Sequence, residues 1–216
     1  MSPCLSKITL ACFLLLILVT IAPAALAQIN IVNFDFGAVP IACSNGYAYE
    51  GPELLCPYAG PEQNFNDTPG FGWTMGTRIS QCCHPQQSLD GGPGLTGPNT
   101  IFYPPPFDGL PFNQAVILQD AYTFVWQPVS GFRAGSYTLS FYLGSRYSTL
   151  YDGNQTVQAL IDSQVIGTWA LSSYTPFTLE TVSFSVNSGG THTVEFRGIN
   201  HGDHTAFVSY VVITPN

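Results

Sequence analysis

From Gln114 to Thr214 apolar and polar residues alternate at period two, the mark of strands with one buried face. In Tyr137-Thr138-Leu139-Ser140-Phe141-Tyr142-Leu143 the apolar set Tyr137, Leu139, Phe141 and Leu143 shares one face. Thr138, Ser140, Tyr142 and, further on, Arg146 take the other. The same pattern predicts strands over Thr156–Ile161, Val165–Trp169, Phe177–Val186, Thr193–Phe196 and Ala206–Ile213. Turn formers separate them: Asp152-Gly153-Asn154, Asp162-Ser163, Ser188-Gly189-Gly190 and Asn200-His201-Gly202-Asp203. Short strands with a turn roughly every 8–12 residues predict an antiparallel sandwich. The opening segment Ile29–Phe36 reads as a first strand. No helical periodicity and no repeat follows it.

Residues 37–112 are of a different kind. Glycine and proline dominate, in Gly91-Gly92-Pro93-Gly94 and Tyr103-Pro104-Pro105-Pro106. Proline has no N–H to give a sheet ladder, so this part is expected to be loops and short edge strands. It holds Cys43, Cys56, Cys82 and Cys83. An even number of cysteines in an exported chain implies disulfides, and four allow three pairings. Joining the neighbours Cys82 and Cys83 would strain the peptide between them. The expectation is therefore that Cys43 and Cys56 each bond one of Cys82 and Cys83. A metal site with His84 is the alternative, but it lacks the C-x₂₋₄-C spacing of structural zinc.

The first 27 residues carry a different signal. Lys7 is followed by an apolar run from Ile8 to about Ile21 and by the small residues Ala25 and Ala27. That is a cleavable export signal, shorter than the roughly 20 residues a membrane span needs. Cleavage after Ala27 leaves residues 28–216 as a single β-sandwich domain, with no membrane insertion after cleavage and an extracellular address. It also removes the one lysine. Arg78, Arg133, Arg146 and Arg197 then face 13 acids, a net charge of −9. No basic patch can form, which excludes nucleic acid as a partner. Charged residues are only 8% of the chain, so hydroxyls, amides and tyrosines must cover much of the surface. Such a surface suits an uncharged glycan or self-association.

Several segments resemble secreted galactose-binding-like jelly-roll domains, a group that includes carbohydrate-binding modules. Asn33-Phe34-Asp35-Phe36 resembles their opening N-x-x-F-E, and Phe71-Gly72-Trp73-Thr74 their P-G-W segment. The stretch from Gln127 through Val129, Gly131, Gly135, Tyr137 and Leu139 to Phe141 resembles their Q-x-V-x-G-L-x-A-G-x-Y-x-L-x-F strand pair. Thr191–Phe196 and Thr205–Val211 resemble their two closing strands. The resemblance implies an all-β antiparallel jelly-roll sandwich, here with a long disulfide-stapled N-terminal loop region. It also implies a structural calcium, for which Asp35 is the candidate ligand. The closing strand offers Ser209 and Tyr210 where such domains commonly carry an acid.

Candidate chemistry is sparse. Gly92-Pro93-Gly94-Leu95-Thr96-Gly97 matches G-x-G-x-x-G without the strand and helix that motif requires. His201-Gly202-Asp203-His204 reads as a polar turn. No catalytic signature stands out, so the expectation is a chain that is not an enzyme and requires no cofactor. The segment from Arg146 to Gln155 is the most suggestive, because sugars stack their C–H faces on aromatic rings and hydrogen-bond to Arg, Asp, Asn and Gln. Arg146, Tyr147, Tyr151, Asp152 and Asn154 are therefore the candidate ligand-binding residues. Asn154-Gln155-Thr156 is also a glycosylation sequon. The expected role is a non-catalytic carbohydrate-binding or cell-surface recognition domain whose partner is a glycan or cell-surface polysaccharide. The alternative is a structural subunit of an extracellular matrix or filament, joined through the first strand.

Overall fold

The computed structural model describes residues 29–42, 46–50, 62–77, 92–148 and 153–216. The four cysteines of the expected disulfides, the export segment, Tyr151 and Asp152 lie outside the described residues.

Among the described residues twelve strands form two layers: β1 (Tyr47–Glu50), β2 (Glu62–Gln63), β3 (Thr74–Thr77), β4 (Pro93–Thr96), β5 (Ala115–Gln119), β6 (Thr123–Phe132), β7 (Gly135–Ser145), β8 (Thr156–Ile161), β9 (Gln164–Ala170), β10 (Thr178–Val186), β11 (Gly190–Gly198) and β12 (Thr205–Pro215). One sheet has the order β10-β7-β12-β5-β4-β1-β2 and the other β3-β6-β11-β8-β9. All pairings are antiparallel except the two-residue contact of β1 with β2. The fold is the expected jelly-roll β-sandwich.

Between the sheets lies the main core. Leu139, Phe141 and Leu143 of β7 meet Val194 and Phe196 of β11 and Val125 and Val129 of β6, all buried. The Phe141 ring lies 4.7 Å from Phe196 and 5.0 Å from Trp169. The β8–β9 hairpin closes on Asp162 and Ser163 with φ of 49° and 68°. Two consecutive left-handed residues match the twist of the flanking strands.

Two sequence expectations change. Ile29–Phe36 is not a strand: residues 32–35 are turns, and Asn33 and Phe36 have φ of 50° and 60°. Its alternation arises because Ile29, Ile31 and Phe36 plug the sandwich one by one. Phe36 is fully buried with its ring 5.0 Å from Trp73. Gln127 clamps the segment from both sides, receiving from Val32 N–H and donating to Val32 O, each at 2.9 Å. Val211 N–H donates to Phe34 O at the β12 bulge. The segment is therefore locked to its own chain, which removes the means by which it was expected to join a neighbour.

The second change concerns the Gly/Pro region, which is more than edges. β4 sits inside the seven-stranded sheet between β5 and β1. Pro93 opens that strand, where a missing donor costs least. Gly94 is needed because a Cβ there would stand 2.4 Å from Ala48 O.

The segment from Pro98 to Asn113 lies over the outer face of the same sheet. There Tyr47, Tyr49, Phe102, Ala115, Ile117 and Phe207 form a second buried cluster, joined by Phe107 and Phe177. Ala115, Ile117 and Phe207 alternate with Val116, Leu118, Ala206 and Val208 of the main core, so both faces of this sheet are covered here.

Candidate functional site

The outer cover meets the end of β7 at a cluster of exposed tyrosines. Tyr103, Tyr147 and Tyr174 are 41%, 46% and 39% exposed. The Tyr147 and Tyr174 rings meet edge to face at 5.0 Å. Tyr147 N–H donates to Tyr103 O at 2.6 Å, and Tyr174 N–H donates to Arg146 O at 3.1 Å. Tyr103 and Tyr147 flank a cleft of about 340 Å³ whose other walls include Pro104–Pro106, Asn99 and Asp108. Tyr103 and Tyr174 have φ of 47° and 65°. Non-glycine residues held in that region cost about 1–3 kcal/mol each and concentrate at functional sites.

Beneath the tyrosines runs a buried polar chain. Tyr49 Oη donates to Gln119 Oε1 at 2.5 Å, and Gln119 Nε2 donates to Asp203 Oδ1. Arg146 Nη1 donates to the same carboxylate at 2.7 Å. The Arg146 side chain is 4% exposed and its Cζ lies 5.5 Å from the Phe102 ring centre. Arg146 N–H also donates to Thr205 O, tying the end of β7 to β12. The backbone carrying Tyr147 and receiving Tyr174 is thus anchored from below by an ion pair.

The expected ligand residues separate accordingly. Arg146 lies on the face opposite Leu139 and Phe141, as the alternation places it, yet the 98–113 cover buries it. Its observed contact is structural, to Asp203. Tyr147 is exposed on the cleft. Asn154 is exposed on the neighbouring loop, where its Oδ1 accepts from Ser173 N–H at 2.9 Å. Sequence reading missed Tyr103 and Tyr174, and it missed Asp203 as an anchor by reading it as a turn residue. The run Tyr103-Pro104-Pro105-Pro106 was the available signal, since a ring beside rigid proline loses little freedom on ordering.

His201 meets Tyr122 edge to face at 5.2 Å and stands 3.9 Å from Asp120 Oδ1. Among the described residues no three His, Cys, Asp or Glu side chains converge as metal ligands.

A larger cleft of about 500 Å³ opens at the flank, between β9 and β10, with Val165, Ile166, Ser183 and Ser185 in its walls. Its titratable pair is already saturated. His192 Nδ1 lies 2.5 Å from Asp162 Oδ2 and Nε2 lies 3.1 Å from Ser188 O. Both acceptors are satisfied only when both ring nitrogens carry protons, so His192 acts as a clasp in its imidazolium form. The bond to Asp162 raises its pKa above the ordinary 6.5, against the opposing effect of burial. Burial pushes the Asp162 carboxyl up, but the bonds from His192 and Thr193 N–H outweigh it and hold the pKa below 3.8. The tyrosine cleft is smaller but has exposed rings in its walls.

No family model matches the chain, and no curated protein matches it in sequence. Solved structures are similar in fold. A Stig cyclase from Fischerella sp. TAU, in complex with (3Z)-3-(1-methyl-2-pyrrolidinylidene)-3H-indole, is 14% identical with a TM-score of 0.56. The match covers 88% of this chain and 97% of that one. A family 35 carbohydrate binding module from Clostridium thermocellum is 14% identical with a TM-score of 0.40, over 50% of this chain and 83% of that one. A carbohydrate binding module of lichenase 5A from Cellvibrio mixtus, in complex with cellotriose, is 17% identical with a TM-score of 0.38, over 50% and 82%.

The cyclase likeness corrects the expectation that the chain is not an enzyme. That expectation rested on the lack of short catalytic motifs, but a fold that places distant residues together can catalyse without one. This sandwich is a fold that enzymes use, so nothing in its architecture sets catalysis aside.

Proposed function

We propose that this chain is a secreted protein that binds a neutral glycan in the cleft flanked by Tyr103 and Tyr147, beside which Tyr174 packs on Tyr147. The observation that carries this reading is three exposed rings held by backbone bonds above a buried ion pair. Stacking on fixed rings avoids the ordering cost that weakens flexible contacts. The chain is acidic and has one lysine in its whole length, which favours an uncharged partner over an anionic polysaccharide. Asn99 and Asp108 on the cleft wall supply polar groups for sugar hydroxyls. Solved structures of similar fold include carbohydrate binding modules.

The test is calorimetric titration of the protein with neutral oligosaccharides chosen from a glycan array. Tyr147→Ala should weaken binding about five- to thirtyfold, the loss of one stacking ring worth about 1–2 kcal/mol. Binding unchanged in both Tyr147→Ala and Tyr174→Ala would refute the placement.

A structural calcium at Asp35 belongs to the same proposal. The space over Gly37 is faced at 3.4 Å by both Asp35 carboxylate oxygens and by Asn113 Oδ1. Gln114, whose carbonyl accepts from Ser209 Oγ at 2.7 Å, has a buried Oε1 without a hydrogen-bond partner. Oxygen-only donors suit a hard cation. Asp35 and Asn113 would hold it, and its part would be to fix the 33–37 turn to the start of β5.

A further inference from the structure

We propose that two copies of this chain pair edge to edge through β10, which joins their seven-stranded sheets into one. This goes beyond the glycan reading and does not depend on it.

The inference rests on how the four sheet ends are built. β2 has two residues, and β3 has four with Gly76 among them. β9 has seven, and its ladder with β8 is broken by a register shift between Ala159 and Leu160. β10 is different. All nine of its residues pair with β7 in unbroken register, from Thr178 opposite Leu143 to Val186 opposite Gly135. No strand among the described residues pairs with its far side. Natural proteins guard such edges with lysine, proline, bulges or shortness. β10, Thr178-Leu179-Glu180-Thr181-Val182-Ser183-Phe184-Ser185-Val186, has no lysine, proline or bulge, and its one inward-facing charge, Glu180, is bonded within its own chain.

A second copy is the occupant proposed, because its β10 brings no opposed charge to the join and keeps the two faces continuous. A twofold axis through Val182 aligns all nine residues antiparallel. Thr178 then stands opposite the partner's Val186, Leu179 opposite the partner's Ser185, Glu180 opposite the partner's Phe184 and Thr181 opposite the partner's Ser183. Every pair shares a parity, so outward residues meet outward ones and the two faces continue across the join. Leu179, 56% exposed, gains cover from the partner strand.

Charge is the obstacle to self-pairing in a chain of net charge −8, and here it is absent. Glu180 is the one charged residue of β10. In this register the two Glu180 residues lie four residues apart along the strands, about 14 Å at 3.4 Å per residue. That exceeds the screening length of about 8–10 Å in physiological salt. Each Glu180 carboxylate is already engaged within its own chain, by Trp169 Nε1 and by Thr178 Oγ1, both at 2.9 Å.

Sedimentation equilibrium of the full-length protein over a wide concentration range tests the proposal. The expected result is a monomer–dimer equilibrium. The double variant Thr181→Lys/Ser183→Lys sets lysine directly opposite the partner's lysine on the exposed face and should raise the dimer Kd at least tenfold. Mixing it with Thr181→Glu/Ser183→Glu should restore association between the two variants. Wild type that stays monomeric throughout overturns the proposal, as does a dimer indifferent to the lysine pair. Hydrogen exchange gives an independent reading: β10 amides on the far edge should slow as concentration rises. Exchange independent of concentration overturns the proposal too.

Discussion

Replacing Asp203 by Asn tests the support beneath the tyrosines. Arg146 Nη1 donates to Asp203 at 2.7 Å from a side chain that is 4% exposed, so the variant leaves a buried guanidinium without its carboxylate. Breaking a buried pair in this way costs about 3–5 kcal/mol. Asp203 itself is 28% exposed, so solvent screens the pair and the expected cost lies near about 3 kcal/mol. Arg146→Met removes the other partner. It leaves a carboxylate that water reaches and that Gln119 still bonds, and it forfeits a cation–π contact with Phe102 worth about 0.5–2 kcal/mol. About 2 kcal/mol is expected, less than for Asp203→Asn. At about 2–4 °C per kcal/mol in a domain of this size, Tm should fall by about 6–12 °C and 4–8 °C respectively. Calorimetric melting gives both values, and the double variant gives the coupling, expected to exceed about 1 kcal/mol. A milder effect of Asp203→Asn than of Arg146→Met, or strictly additive variants, would refute the reasoning.

The remaining predictions concern separate parts of the molecule. His192 has a raised pKa, so its clasp contributes fully below pH 6.5 and is lost as pH rises through the raised value; Asp162, held below 3.8, contributes above that value and is lost as pH falls. Melting temperature should therefore decline above about pH 6.5, and His192→Gln should flatten that limb; an unchanged profile in the variant would reject the clasp. Phe141→Ala empties a fully buried site between Phe196 and Trp169 and should cost about 3–5 kcal/mol by urea denaturation. Calcium should raise Tm relative to chelator in wild type but not in Asp35→Ala; no shift in wild type would remove calcium from the account.

What the sequence conveyed depends on where the burial lies. β8 was legible to the residue and β9 to β12 within a few residues, because each has one face in the main core and one in solvent or under a thin cover. Ile29–Phe36 misled for the opposite reason. Its apolar residues fill separate holes along a turn, and left-handed Asn33 and Phe36 break the extension that alternation assumes. The outer cover was illegible as well. Proline and glycine announce a loop but not the surface it lies on, so the burial of Arg146 under Phe102 could not be read from period two. Tyr147 could be read because it directly follows a regular strand. Tyr103 and Tyr174 could not, since each meets Tyr147 only through the tertiary fold, and such a contact leaves no trace in local pattern.

The most direct test of glycan binding in the tyrosine cleft is a crystal structure of the protein with a neutral oligosaccharide selected by array. The predicted result is a sugar ring stacked on Tyr147, with hydroxyls reaching Asn99 or Asp108. A sugar seated elsewhere on the sandwich, with the three rings bare, would contradict it.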